Sequence, residues 1–127
     1  MLRFLIASAA AMTLAASANA QCVSCSIVPD ADCVMPGSAL NVQVCVINDC
    51  EEFVRVSADL VANAPGGDVY DIQNKFFWAP PGENCVDLAL FVPDFVDLGD
   101  YDLEVTLTEG DNTSTCNAAV TVAEDCG

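Results

Sequence analysis

The sequence predicts an all-β fold, a disulfide-stabilised sandwich of about seven antiparallel strands. Three observations carry the prediction. Segments of alternating apolar and polar residues recur along the chain, with turn signals roughly every 8–12 residues. Helical periodicity is absent after residue 20. All eight cysteines also lie after residue 20, and an even count in an exported chain reads as a disulfide framework.

The first segment reads as a leader. Met1-Leu2-Arg3 carries one positive charge, an apolar run follows from Phe4 to Ala16, and Ala18-Asn19-Ala20 is a small-x-small site. Residues 1–20 are therefore expected to be a cleaved signal peptide, with cleavage before Gln21. The run is short of the ~20 apolar residues that a membrane helix needs. No second run of that length follows, so no membrane span is expected in the mature chain. Asn19, Ala20 and Gln21 lack a lipobox pattern, which argues against a lipid anchor on Cys22. The expected location is secreted or periplasmic. Residues 21–127 then form one small domain. A chain of this size buries only ~65% of its unfolded surface, so packing alone stabilises it modestly. Bridges worth ~2–4 kcal/mol each would rival the remaining net stability.

The strands follow in order. Val23 to Val28 is the first, stopped by Pro29, and Asp30 to Cys33 reads as a polar turn. Pro36-Gly37 turns the chain into Ser38 to Asn48, where Leu40, Val42, Val44 and Val46 share one face. Cys45 falls on the other face and is expected toward solvent. Phe53 to Val61 places Val54, Val56, Ala58 and Leu60 inward. After the loose turn Asn63 to Asp68, Val69 to Gln73 is a short strand that Phe76-Phe77-Trp78 could continue. Pro80 and Pro81 then break the ladder, because neither has an N–H to donate. Asn84 to Val92 alternates again, and Pro93 to Gly99 crosses over. Tyr101, Leu103, Val105 and Leu107 alternate with Asp102, Glu104 and Thr106 in the clearest half-buried strand. A hairpin turn at Glu109 to Thr113 leads to the last strand, Thr115 to Ala123.

Charge and composition remove several functions. The chain has 19 acidic residues, three basic ones and no histidine. Arg3 leaves with the leader, so Arg55 and Lys75 are the cations of the mature chain. Nucleic acid and anionic membrane surfaces need basic patches and are poor partners. The acidity suits solubility or a salty medium, with a cation or a basic partner as the functional alternative. Without histidine there is no Ser-His or Cys-His nucleophile and no histidine-ligated zinc. Lys75 reads as solvated surface. Carboxylates such as Asp100, Asp102 and Glu104 could pair as acid and base, but a small sandwich offers little cleft for a sugar. The sequence predicts no enzyme.

Four groups remain as candidate sites. Cys22-x-x-Cys25 has zinc-like or redox-like spacing, but it lacks a second matching pair and thioredoxin-like flanks. Structural disulfides are thus expected for Cys22, Cys25, Cys33, Cys45, Cys50, Cys85, Cys116 and Cys126. Asp94, Asp97, Asp100 and Asp102 crowd one loop and strand start, with Asp30 and Asp32 expected near the same end. Clustered oxygens are what calcium requires, so these four aspartates are its candidate ligands, with a plain acidic edge as the competing reading. No spacing matches an EF-hand, and no cofactor besides calcium is implied. Phe76, Phe77 and Trp78 form an aromatic cluster in which alternation sends Phe77 opposite to its neighbours. They are candidate partner-binding residues, since aromatics are enriched at hot spots; the competing reading puts one face in the core and the other under the Pro80-Pro81 loop. Asn112-Thr113-Ser114 is a glycosylation sequon, meaningful only in a eukaryotic secretory pathway.

Pro36-Gly37-Ser38-Ala39-Leu40-Asn41-Val42-Gln43-Val44, with Val46-Ile47-Asn48, resembles the opening of bacterial Ig-like domains of the cell-adhesion-related (CARDB) type. Pro80-Pro81-Gly82-Glu83 and Gly99-Asp100-Tyr101-Asp102-Leu103 extend the likeness over residues 36–122. It implies an Ig-like β-sandwich serving as an extracellular, non-catalytic binding or structural module whose partner is a protein, glycan or lipid. Tyr101 at its strand start is similar to the tyrosine corner of such sandwiches, where the phenol bonds to upstream backbone. Val44 or Val46 and Leu103 occupy the positions of the buried antibody cysteines, so the cysteines here are expected on outward faces, loops and ends. The implied strand order would join Cys45 to Cys85, set Cys50 near Cys116, and staple the terminal strands through Cys22, Cys25, Cys33 and Cys126. Cys33-Val34-Met35-Pro36-Gly37, with Cys116 after Gly99-x-Tyr101, is also similar to ML lipid-recognition domains. That likeness implies a lipid carrier with a cavity between the sheets.

Overall fold

Alternating apolar residues commit each segment to a strand with one face to bury, and two sheets meet over those faces. The computed structural model describes residues 22–127; the expected leader lies outside the described residues. Eight strands run in order: β1 (Val23–Pro29), β2 (Cys33–Val34), β3 (Ala39–Asn48), β4 (Val54–Asn63), β5 (Val69–Ala79), β6 (Gly82–Phe91), β7 (Gly99–Glu109) and β8 (Asn112–Val122). One sheet has the order β1-β3-β6 and the other β2-β8-β7-β4-β5. All pairings are antiparallel except β2 with β8.

That parallel pair is one strand more than the sequence predicts. Pro29 is the last residue of β1, Asp30 N–H still donates to the Asn41 carbonyl of β3 at 2.9 Å, and the chain then crosses to the other sheet. Thr121 N–H donates to the Asp32 carbonyl at 2.8 Å and Ala123 N–H to the Val34 carbonyl at 3.1 Å. Two residues are too few to show periodicity, so this segment reads as a turn in the sequence.

The core is the set of inward residues already visible by alternation. Leu40, Val42, Val44 and Val46 from β3 face Val56 and Leu60 from β4 and Tyr101, Leu103, Val105 and Leu107 from β7, and all are buried. The Tyr101 hydroxyl donates to the Asp97 carbonyl at 2.7 Å, which completes the tyrosine corner and fixes the β6–β7 crossing. Gly37 makes a close approach elsewhere: its φ is +83°, and a Cβ there would lie 2.6 Å from Asp94 Oδ1. Asn48 is a buried polar latch at the end of β3. Its amide nitrogen donates to the Ala79 carbonyl at 2.8 Å and to the Glu52 carbonyl at 2.9 Å, while its oxygen accepts from Cys50 N–H at 2.9 Å.

Four disulfides join Cys22 to Cys50, Cys25 to Cys116, Cys33 to Cys126 and Cys45 to Cys85. The cross-strand bridge expected between Cys45 and Cys85 is present, at directly paired positions of β3 and β6. Two expectations need correction. Cys116 bonds Cys25 rather than lying with Cys50, and this pair is not on an outward face. Cys25 shares the inward side of β1 with Val23 and Ile27, and Cys116 shares the inward side of β8 with Val120 and Val122. The bridge therefore ties the two sheets together from within. Cys45 is also buried although it points outward, because it sits on the central strand of its sheet between Ser26 and its partner Cys85.

Candidate functional site

The sandwich is stapled along one margin and parted along the other. On the β1–β8 side the Cys25–Cys116 bridge draws the sheets together. On the far side β6 and β5 are the free edges of their sheets. There the inward face of β6 is incompletely covered, and Val86 is 56% exposed although it alternates with Leu88 and Leu90. Two apolar clefts lie along this margin. The first, of about 320 Å³, includes Val46, Leu60, Phe77, Val86 and Leu88 in its walls. The second, of about 340 Å³, includes Leu40, Ala62, Tyr70, Leu90 and Leu103. Both volumes fall within the ~300–1,000 Å³ range of small-molecule sites.

Strand β5 decides what enters these clefts. Its pairing with β4 runs Val56–Phe77, Ala58–Lys75 and Leu60–Gln73, then slips so that Val61 faces Asp71 and Ala62 faces Tyr70. Ile72 is the extra residue of this bulge. Tyr70 and Gln73, three positions apart, therefore both line the inner side, where strict alternation would separate them. Lys75 lines the first cleft together with Gln73 and Asn84. Lys75 is solvent-exposed, as expected of a lysine in an alternating segment, while its alternation with Phe77 sets it on the inner side of β5.

The opposite face of β5 carries the aromatics. Phe76 and Trp78 point outward and are 62% and 63% exposed, so the Pro80-Pro81 loop does not cover them. Phe77 turns inward and is half-buried, as alternation requires. The Arg55 guanidinium lies 5.2 Å from the centre of the Phe76 ring and on the residue paired with Trp78. Arg55 and Lys75, the two cations of the described chain, thus stand on opposite faces of one sheet edge.

The four aspartates have different neighbours. Asp94 sits against Gly37, and Asp97 contributes its main-chain carbonyl to Tyr101. Asp100 accepts from the Thr121 hydroxyl at 2.8 Å. Asp102 accepts from Asn117 at 2.9 Å and from Asn63 at 3.4 Å. Among the described residues, the one group of three metal-type side chains with ligand atoms within 4.8 Å of one another is Cys45, Glu83 and Cys85, whose two sulfurs are bonded to each other. Burial, reinforced by Tyr70, Asp97 and Asp68, holds the Tyr101 phenol above its ordinary pKa.

No protein-family model and no curated protein matches the chain. Solved structures do. The CARDB domain of a Pyrococcus furiosus protein, solved in complex with di-metal ions, superposes with a TM-score of 0.62 at 18% identity, covering 80% of this chain and 87% of that one. The fold is of the CARDB type. The sporulation control protein Spo0M of Bacillus subtilis matches this CARDB-type sandwich with a TM-score of 0.61 at 13% identity, over 81% of this chain and 50% of its own. A β-glucosidase of Erythrobacter marinus matches over 80% of this chain but only 15% of its own, with a TM-score of 0.60 and 13% identity. Such identities establish a shared architecture for the CARDB-type sandwich and leave its chemistry to its own residues.

Proposed function

We propose that this protein is an exported, non-catalytic binding module that meets a protein partner through the outward face of β5 and β4. The observation that carries the reading is the exposed pair Phe76 and Trp78, 62% and 63% accessible, with Arg55 beside them on an otherwise acidic chain. Trp and Arg dominate interface hot spots, and large exposed aromatics on one face of a sheet suit partner contact. The CARDB-type fold and four disulfides support an extracellular setting. The test is retention of the exported protein on the surface of the cells that produce it, measured by quantitative immunoblot. Trp78→Ala should reduce retention at least tenfold with an unchanged thermal melt. Equal retention, or a melt that collapses with the substitution, would refute this role.

A second reading is favoured by the parted margin between β5 and β6. An apolar ligand seated between the sheets would cover Val86, Leu88 and Phe77, which the sandwich itself leaves partly open. In that reading the module carries a small amphiphile.

A further inference from the structure

The second reading leaves open which amphiphile fits, and Lys75 answers that question. We infer that the first cleft takes a single-chain amphiphile with a carboxylate head, its tail against Val86, Leu88 and Leu60 and its head at the Lys75 ammonium. This inference rests on the carrier reading and adds the chemistry of the ligand.

The cleft is apolar except for Lys75, Gln73 and Asn84. The Asn84 amide is already engaged, donating to the Pro80 carbonyl at 3.1 Å and the Gly82 carbonyl at 3.4 Å. Lys75 and Gln73 alternate on the inner side of β5, so an ammonium and an amide are offered together. An ammonium covered by a purely apolar ligand loses water and gains no partner, which is costly. An anionic head repairs that loss with a charge-assisted hydrogen bond. One cation suits one negative charge, and a compact ammonium suits a carboxylate as a point charge.

Other occupants fit less well. A second copy of the chain would bring the same strongly acidic surface to the margin, and the repulsion between two such copies opposes that occupant. A cationic or neutral amphiphile would leave Lys75 opposed or unpaired. The ligand that satisfies both the apolar wall and its polar exception is amphipathic and anionic.

The experiment titrates the exported, oxidised protein with dodecanoate, dodecanol and dodecyltrimethylammonium below their micellar concentrations, by calorimetry and native mass spectrometry. The wild type should bind one dodecanoate and prefer it over dodecanol by at least tenfold. Lys75→Gln should erase that preference while leaving the dodecanol affinity and the thermal melt unchanged. Lys75→Glu should shift the preference toward dodecyltrimethylammonium. If dodecanoate and dodecanol bind equally in the wild type, the role of Lys75 is overturned although the cleft remains a lipid site. If none of the three binds, the carrier reading itself is overturned.

Discussion

Removing the bridge inside the sandwich tests the arrangement of the two sheets most directly. The perturbation is the double substitution Cys25→Ala with Cys116→Ala, which leaves the other three bridges intact. Taken alone, this bridge closes a loop of 91 residues, for which chain entropy predicts about 4.6 kcal/mol. It does not act alone. The Cys33–Cys126 bridge joins residues that follow closely after Cys25 and after Cys116 in the chain, so with that bridge formed Cys25 and Cys116 are already linked by a short path. The path runs from Cys25 to Cys33, across the bridge, and back from Cys126 to Cys116, roughly 18 residues in all, which lowers the expected loss to about 3 kcal/mol. For a domain near this size that corresponds to a fall in melting temperature of roughly 12–24 °C. The assay is urea unfolding of the oxidised protein, with peptide mapping to verify the remaining bridges. A loss near the full isolated-loop value would mean that Cys33–Cys126 does not restrain the same segments. A loss under about 1 kcal/mol would refute an inter-sheet bridge that constrains the unfolded chain.

Further outcomes follow from single groups. Asn48→Ala should cost about 2–3 kcal/mol in the same assay, because it strands the buried Ala79 carbonyl and the Cys50 N–H; a loss within 0.5 kcal/mol, the range of an ordinary surface change, would contradict the latch. Tyr101→Phe should cost about 1 kcal/mol near neutral pH, the usual net worth of the lost bond to the Asp97 carbonyl. Its pKa is raised in the fold, so wild-type stability from this group is complete below the ordinary tyrosine value and is lost as pH climbs past it through the folded value. The gap between wild type and Tyr101→Phe should therefore narrow at strongly alkaline pH; a gap that widens there would reverse the sign. Calcium titration should give no binding tighter than millimolar, since Asp100 and Asp102 are engaged by Thr121, Asn117 and Asn63. Micromolar calcium binding lost in Asp100→Asn would overturn that expectation.

The inward faces of β3, β4 and β7 were legible because burial on one side imposes a period of two, which Tyr101 to Leu107 obey without a break and Leu40 to Val46 obey except at the buried Cys45. The Tyr101 corner was legible through the resemblance to Ig-like sandwiches, in which a phenol at a strand start bonds to upstream backbone. The opposed directions of Phe77 and its two neighbours followed from alternation alone. The pairing of Cys25 with Cys116 was not legible, because alternation shows that each cysteine can face inward but carries no information on which strands oppose one another. The β2 strand escaped because two residues cannot display a period.

Composition and periodicity by themselves determined that this chain forms a two-layer β domain held by cysteines, and which residues of its long strands face the core. Only tertiary structure decided that one margin is stapled and the other parted, that Trp78 stays uncovered, and that a bulge at Ile72 sets Tyr70 on the inner side of β5 with Gln73 and Lys75. The physical reason is that local pattern assigns each residue a face, whereas the separation of two faces depends on strands distant in sequence. Cys25 and Cys116 close one side of the sandwich across 91 residues, while β5 and β6 end their sheets without a partner on the other.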